Sequence, residues 1–300
     1  MAQTNGSNQI KTGPAERAFD IFNVLFMFVL CIIMIYPFYY VIVASFSEPA
    51  KLMAHDGLLL APQGFSTGAY QSVLKNPRVW TGYGNTIFYV VVGTVFNIVM
   101  TVLCAYGLSR KGLMFNRLVT VMVVFTMYFS GGMVPTFLVV RGLGLYNSRL
   151  ALIIPGAIST FNMIIMRTAM AGIPDSLEES ARLEGASHLQ VLFRIMIPVT
   201  MPTIAVLILY YGVGHWNSWF NASIYLKDPD KYPLQLYLRQ ILIQNQMSDM
   251  SQTSASEDQA LLAETIKYAT IIVATVPILV LYPFLQKYFV KGVMVGSLKG

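Results

Sequence analysis

Residues 173–198 carry charged and helix-capping side chains in a sequence that is otherwise strongly apolar. Ser176 is followed three residues later by Glu179, which is the spacing of a capping box at the start of a helix. Gly185 comes about two turns later, where a residue with positive φ ends a helix without the ~1–2 kcal/mol cost of a Cβ atom. The pattern predicts a short polar helix that ends at this glycine.

A second short helix is predicted directly after Gly185. Ser187 and Gln190 repeat the capping spacing, and large apolar residues follow at helical intervals. Together the two helices occupy about residues 174–195. We expect one apolar face of the second helix to pack on the rest of the protein, namely Leu189, Leu192, Phe193 and Met196.

The first of these helices presents a mixture of small and charged residues, namely Glu179, Ala181, Arg182 and Ala186. Such a surface lets a partner approach closely, but it contains too little apolar area to drive its own burial. The chemistry that it favours is non-covalent docking of another protein. On the capping pattern alone, however, an ordinary capped loop is the simpler interpretation.

The sequence contains no motif for covalent chemistry or for energy conversion. It has no glycine-rich phosphate loop ending in Gly-Lys-Ser or Gly-Lys-Thr, no His-Glu-x-x-His and no cluster of cysteine and histidine. Cys31 and Cys104 each lie in an apolar run, which argues against a disulfide framework or a metal site. We therefore expect no catalysis, metal or cofactor in this chain, and any uphill transport must be driven by another subunit.

The composition places most of the chain in lipid. Its 300 residues are 55% hydrophobic and 11% charged, with a mean hydropathy of +0.59, whereas an average soluble chain is about 25% charged. A transmembrane helix needs about 20 predominantly apolar residues. Six stretches free of Asp, Glu, Lys and Arg predict six transmembrane helices: Ile21–Ser47, Thr86–Leu108, Leu118–Val140, Leu150–Met166, Met196–Asn217 and Tyr268–Gln286.

The formal net charge of +6 is explained by membrane topology rather than by nucleic-acid binding. Basic residues are concentrated in the short connection Ser109–Arg117, and cytoplasmic loops carry an excess of Lys and Arg. This bias predicts that both termini are cytoplasmic. We expect residues 1–15 to be a disordered cytoplasmic tail and residues 16–300 to form one all-α transmembrane domain.

The centres of the predicted spans lack the carboxylates and histidines that ion-coupled carriers commonly bury in mid-membrane. A stand-alone ion-coupled secondary carrier is therefore disfavoured, although it stays an alternative because backbone carbonyls also hold ions. A membrane-embedded enzyme would need a polar catalytic constellation that the sequence does not contain.

The run from Glu179 to Gly185, with Ile195 and Pro198 in register, resembles the EAA loop of permease subunits in bacterial ATP-binding-cassette (ABC) importers. The family pattern is Glu-Ala-Ala, three residues, glycine, nine residues and Ile-x-Leu-Pro. Ser180 departs from the second-position alanine and Ile197 departs from the leucine. Glu184 stands where these sugar permeases often have Asp, and all three departures are mild.

The resemblance extends over nearly the whole chain. Asn85-Thr86 and Ala105–Arg110 stand where carbohydrate-type permeases, such as the smaller permease of the maltose importer, have matching motifs. Residues 289–300 look most like the branch that imports complex or uronic-acid-containing oligosaccharides.

The resemblance implies a type I importer permease fold with six transmembrane helices in the bacterial plasma membrane. Such a subunit forms half of the translocation pathway. Its implied partners are a second, homologous permease, two ATPase subunits that bind ATP and Mg²⁺, an extracellular solute-binding protein and an oligosaccharide.

In this family the EAA loop forms a coupling helix that docks into the ATPase, and Glu179 is the position that pairs with a basic residue there. The resemblance therefore implies an ATPase-docking set of Glu179, Ser180, Ala181, Arg182, Gly185, Ala186, Ser187, Ile195 and Pro198. It also implies a tail that inserts between the two ATPases, formed by Ser297, Leu298, Lys299 and Gly300. A frayed basic terminus is the alternative for this tail.

Aromatic and polar residues near the outer end of the fifth predicted span could line the sugar pathway, because sugar sites combine aromatic walls with a few placed polar groups. Trp and Tyr also line membrane interfaces without binding any ligand, and this alternative stays open. These candidates are Tyr210, Tyr211, His215, Trp216, Asn217 and Trp219, and Asn162 in the middle of the fourth predicted span is a further one.

Overall fold

The computed structural model describes residues 13–110, 112, 114–250, 265–280 and 283. Regular structure in these residues is helical, apart from one isolated antiparallel bridge between Ser47 and Phe65. The helices are α1 (Pro14–Ser45), α2 (Pro49–Met53), α3 (Gly68–Lys75), α4 (Pro77–Ser109), α5 (Asn116–Tyr128), α6 (Met133–Gly142), α7 (Thr160–Ala171), α8 (Asp175–Leu183), α9 (His188–Val191), α10 (Ile197–Val199), α11 (Met201–Trp216), α12 (Phe220–Tyr225), α13 (Leu234–Met250) and α14 (Thr265–Val280).

Two of the described helices are long and apolar enough to cross a membrane by themselves. They are α1, with 32 residues, and α4, with 33. Helix α1 begins at Pro14, so the expected disordered tail overlaps its first two residues, and residues 1–12 lie outside the described part of the chain. Helix α4 begins nine residues before the predicted Thr86, because Asn76 caps it by accepting from the Arg78 amide at 3.1 Å and Pro77 suits the first turn.

Two further predicted spans each correspond to a pair of helices that meet at a sharp bend. Helices α5 and α6 meet at 114°, and the break contains Gly132 with φ +88°. The helical stretch His188–Val199 meets α11 at 82°, with Pro202 in the first turn of α11. If each bent pair is one span, the described residues contain four candidate spans.

The fourth predicted span, Leu150–Met166, is not one continuous helix. A 3-10 turn at Arg149–Leu152 is followed by non-helical residues 153–159 and then by α7, which has 12 residues. Pro155 and Gly156 lie in this break, and proline cannot supply the amide that a continuous helix would need. The sixth predicted span begins within α14 and extends into residues that the structure does not describe.

Contacts divide the chain into two compact units, residues 1–70 with 256–272 and residues 71–255 with 273–300. In the first unit, the end of α1 packs on a small cluster around Leu52 and Leu59. In the second unit, α4 packs against α7 and α11, and the buried core between them contains Met163, Met166, Met170 and Leu207. All site residues discussed below belong to the second unit.

Candidate functional site

Helix α8 begins one residue before Ser176, so the predicted capping box at Ser176 and Glu179 is wrong. The N-cap position is Pro174, which has no capping side chain, and Ser176 lies within the first turn. A helix commonly starts directly after proline, because the ring disfavours helical geometry in the residue before it and the missing amide is not needed at the start of a helix. Glu179 is consequently exposed, and it makes no hydrogen bond or ion pair with any residue that the structure describes.

The end of α8 confirms the prediction at Gly185. This glycine has φ +85°, and its amide donates to the Arg182 carbonyl at 3.0 Å. The Ala186 amide donates to the Ala181 carbonyl at 2.9 Å, which completes a Schellman motif. The turn therefore depends on a backbone conformation that residues with a Cβ atom rarely adopt.

The second predicted capping box is confirmed. The Ser187 hydroxyl accepts from the Gln190 amide at 3.3 Å, and the Gln190 side chain accepts from the Ser187 amide at 2.7 Å. Helix α9 thus starts from a fixed position directly after the glycine turn, and α8 is held at its C-terminal end by local hydrogen bonds.

The two faces of α8 differ from the sequence expectation. Ala181 and Ala186 are half-buried and pack against the core, so they do not belong to the exposed surface. Glu179 and Leu183 lie one turn apart on the exposed side, and Leu183 is 91% exposed. The exposed side of α8 therefore combines a free carboxylate with an unburied leucine.

The predicted apolar face after Ser187 is only half correct. Leu192 and Met196 are buried, but Leu189 and Phe193 are each 61% exposed. The chain forms a π-helical turn at Leu192–Met196, which changes the helical register that the prediction assumed. Of the remaining predicted docking residues, Ser180, Ser187 and Pro198 are exposed and Ile195 is half-buried.

An ion pair that the sequence analysis missed attaches α8 to α4. Glu178 is buried, and its Oε2 atom accepts from Nη1 of Arg110, while Oε1 accepts from Nη2 of Arg182 at 2.6 Å. Arg110 also donates to the carbonyl of Met170 at 3.3 Å. Arg182 is therefore engaged within the chain, where Nη2 also contacts Nδ1 of His188 at 3.0 Å.

A second polar network lies where α4 crosses α11 and the non-helical segment 153–159. Nδ2 of Asn97 donates to the carbonyls of Gly156 and Ala157 at 2.6 and 3.0 Å. Oδ1 of Asn97 lies 2.7 Å from Nε2 of His215, so this nitrogen is the donor. Non-helical backbone at membrane depth must have its polar groups satisfied by protein or water, and Asn97 does this for two carbonyls.

Tyr211 completes this network. Its hydroxyl accepts from the Ser159 amide at 3.0 Å and lies 2.7 Å from the hydroxyl of Thr101. Tyr211 and His215, both candidates for the sugar pathway, thus make hydrogen bonds inside the protein.

The other pathway candidates are placed differently. Asn162 is buried in the first turn of α7, and Trp216 is buried with no hydrogen-bond partner for its Nε1 atom in the described residues. Tyr210 is 39% exposed and Asn217 is also exposed. Trp219 is half-buried beneath the guanidinium of Arg239, 3.5 Å from the ring centroid. The seven candidates are thus divided among buried, half-buried and exposed positions.

The predicted tail contact at Ser297–Gly300 lies outside the described residues. The segment connecting α13 and α14, at residues 251–264, also lies outside them.

Comparisons with known proteins agree with one another. Residues 97–295 match the family described as binding-protein-dependent transport system inner membrane component. The chain is 42% identical over 290 residues to the polygalacturonan/rhamnogalacturonan transport system permease protein YtcP of Bacillus subtilis, which covers 95% of this chain and 99% of that protein. It is 41% identical over 302 residues to protein LplC of the same organism, covering all of both chains.

Solved structures give the same result. One chain from a crystal structure of a bacterial ABC transporter involved in the import of the acidic polysaccharide alginate is 33% identical, with a TM-score of 0.85. The match covers 94% of this chain and 100% of that chain. The all-helical membrane permease fold is therefore confirmed. The chain belongs to the binding-protein-dependent transport system inner membrane components, and it is a non-catalytic, multi-pass permease subunit of an ABC transporter in the inner membrane.

Proposed function

We propose that this chain is the permease subunit of an importer for acidic oligosaccharides, of the kind released from pectin or alginate. The proposal is supported by the two relatives whose names specify polygalacturonan/rhamnogalacturonan and alginate. The chain would cross the membrane six times with both termini in the cytoplasm. It would form half of the translocation pathway, and a second, homologous permease would form the other half.

The observation that carries the assembly proposal is the exposed side of α8. Glu179 and Leu183 are exposed there, and Glu179 has no ion-pair partner in the described part of the chain, while the opposite side of the helix packs on the core. An exposed leucine beside a carboxylate fits a cleft with an apolar floor and a basic rim. We assign this side of α8 to docking on an ATPase subunit, with Glu179 as the charged contact and Leu183 as the apolar anchor.

The remaining partners are proposed from the family match. Two ATPase subunits would bind ATP and Mg²⁺ and would close on nucleotide binding, and α8 would transmit that closure to the membrane part. A solute-binding protein would deliver the oligosaccharide from outside. Residues Ser297–Gly300 would form a second contact with the ATPases.

The substrate class is supported by two fixed guanidinium groups. Arg149 is exposed, donates to Oδ1 of Asn85 at 2.9 Å and lies over the ring of Phe88. Arg239 is exposed and stacks on Trp219. Both positions suit the carboxylates of uronic acids, because a guanidinium pairs with a carboxylate through two parallel hydrogen bonds. Trp219, Tyr210 and Asn217, which are half-buried or exposed, remain proposed contacts for sugar rings and hydroxyls.

Uptake by the reconstituted transporter tests this function. Proteoliposomes with both permeases, the ATPases and the binding protein should import labelled oligogalacturonate only when ATP is present on the ATPase side. Uptake that continues when the ATPases are omitted would contradict the proposal. Equal uptake of a neutral oligosaccharide of the same length would contradict the substrate class alone.

Two variants of α8 test the docking surface. We expect Glu179→Lys and Leu183→Asp each to reduce co-purification of the ATPases at least about tenfold, because each places an unmatched charge in the interface. Asn221→Ala, at an exposed residue of α12, is the control and should leave co-purification unchanged. Wild-type levels of bound ATPase in both α8 variants would show that the ATPases bind elsewhere.

A further inference from the structure

Helix α8 has little apolar surface with which to attach itself to the membrane part. Within the helix proper, Glu178 is the buried residue, and Ala181 is half-buried. The contact between α8 and the transmembrane helices therefore relies on a charge that is removed from solvent. A buried carboxylate is stable only when it is paired and hydrogen-bonded.

Arg110 provides that pairing at the C-terminal end of α4. Its side chain is 14% exposed and the side chain of Glu178 is 11% exposed. Arg110 is fixed by further contacts, since its guanidinium donates to the hydroxyl of Ser109, donates to the Met170 carbonyl and lies 5.1 Å from the ring centroid of Tyr106. The guanidinium thus joins α4, α7 and α8 at a single point.

Farther along α4 from Arg110 lies the polar network that includes Asn97, Thr101 and Tyr211. Asn97 and Thr101 lie on α4, about two and a half to three and a half turns from Arg110, and bind the segment 153–159 and α11 through the contacts described above. Arg110 is the C-cap residue of α4, which is one unbroken helix from Asn97 to Ser109, so a displacement of the C-terminal end of α4 moves Asn97 and Thr101 with it. The ion pair therefore lies between the docking helix and the residues that hold the non-helical segment.

We infer that Arg110 and Glu178 are positioning residues that transmit movement of α8 to α4. The inference rests on the proposed function, because it takes α8 as the helix that the ATPases move. It separates two adjacent glutamates by role: Glu179 faces the ATPase and Glu178 faces Arg110. Loss of the pair should leave the ATPases bound while ATP hydrolysis no longer drives uptake.

The double variant Arg110→Met with Glu178→Gln tests this inference in the complete reconstituted transporter. It removes both charges, so no unpaired charge stays buried, and it leaves the docking side of α8 unchanged. We expect wild-type ATPase co-purification and a fall of at least about fivefold in oligosaccharide imported per ATP hydrolysed, which is the lower end of ordinary coupling effects. An unchanged ratio would overturn the inference.

Two further variants keep the test decisive if the double variant assembles poorly. Arg110→Lys retains a positive charge opposite Glu178 but loses the planar fork, so it should keep at least about half of the wild-type ratio. If Arg110→Lys lowered the oligosaccharide imported per ATP hydrolysed by about fivefold, as expected for complete loss of the pair, a role based on charge pairing would be contradicted. Exchange of the surface pair Glu48 and Lys51, which are 2.7 Å apart and largely exposed, is the control and should leave the ratio unchanged.

The outcomes distinguish this inference from the proposed function. If the wild-type complex holds no ATPase through α8, the proposed function fails. If the ATPases bind normally and the double variant imports with the wild-type ratio, only the role of Arg110 and Glu178 fails.

Discussion

The imidazole of His215, on α11, fills the space that a side chain at Gly93, on α4, would occupy. A Cβ atom added at Gly93 would lie 2.5 Å from Nε2 of His215, the nitrogen that donates to Asn97. The glycine therefore gives the imidazole the room that it needs to reach Oδ1 of Asn97. Gly93 thereby supports the position of Asn97, which donates to the carbonyls of the non-helical segment 153–159.

Gly93→Ala should destabilise the permease by about 1–3 kcal/mol, the usual cost of overpacking a close contact. Chemical unfolding in detergent micelles measures this change. Gly107→Ala on the same helix is the matched control, because a Cβ atom there meets nothing within 4 Å. The control should be neutral or stabilising by about 0.5–1 kcal/mol, since alanine favours helix over glycine. Equal unfolding free energies for the two variants would contradict the proposed contact.

Asn97→Ala should be more harmful than a typical polar substitution. It removes the donors that serve the Gly156 and Ala157 carbonyls in two part-buried hydrogen bonds, and a polar group left without a partner away from water costs about 1–3 kcal/mol. We expect a loss of at least about 2 kcal/mol in the same unfolding measurement. Asn97→Asp should lose nearly as much, because aspartate keeps the acceptor for His215 but has no amide donor. A neutral result for Asn97→Ala would show that water replaces the amide.

Gly185→Ala should reduce uptake without preventing membrane insertion. Space is not the reason, because a Cβ atom meets nothing within 4 Å, but φ +85° costs a residue with a Cβ atom about 1–2 kcal/mol. Gly185→Asn should be milder, since asparagine tolerates this conformation. Gly172→Ala, at a glycine with φ −80°, is the control and should transport normally. Uptake assays with membrane fractionation check all three, and normal uptake by Gly185→Ala would refute the strain argument.

Local signals predicted the parts of the site that local interactions build. The capping box of Ser187 and Gln190 and the glycine turn involve residues within a few positions of one another, and both are confirmed. The error at Ser176 is also local, since the N-cap is Pro174, two residues before the N-cap that the capping pattern indicated.

The missed residues have distant partners. Arg110 pairs with a glutamate 68 positions away, and Asn97 contacts a histidine 118 positions away. No periodicity or spacing encodes such pairs, because they depend on how α4, α7 and α11 pack. The packing of these helices also accommodates the break at Pro155 and Gly156. Counting apolar residues could not predict this break, because it treats Leu150–Met166 as one continuous span.

Labelling of a cysteine at position 179 is the most direct test of the docking helix. In a chain with Cys31 and Cys104 replaced, Glu179→Cys should react with a membrane-impermeant maleimide from the cytoplasmic side when the permease pair is alone. Assembly with the ATPases should protect this thiol at least about tenfold. Reaction from the external side, or equal labelling with all subunits assembled, would contradict the claim that α8 couples this permease to its ATPases.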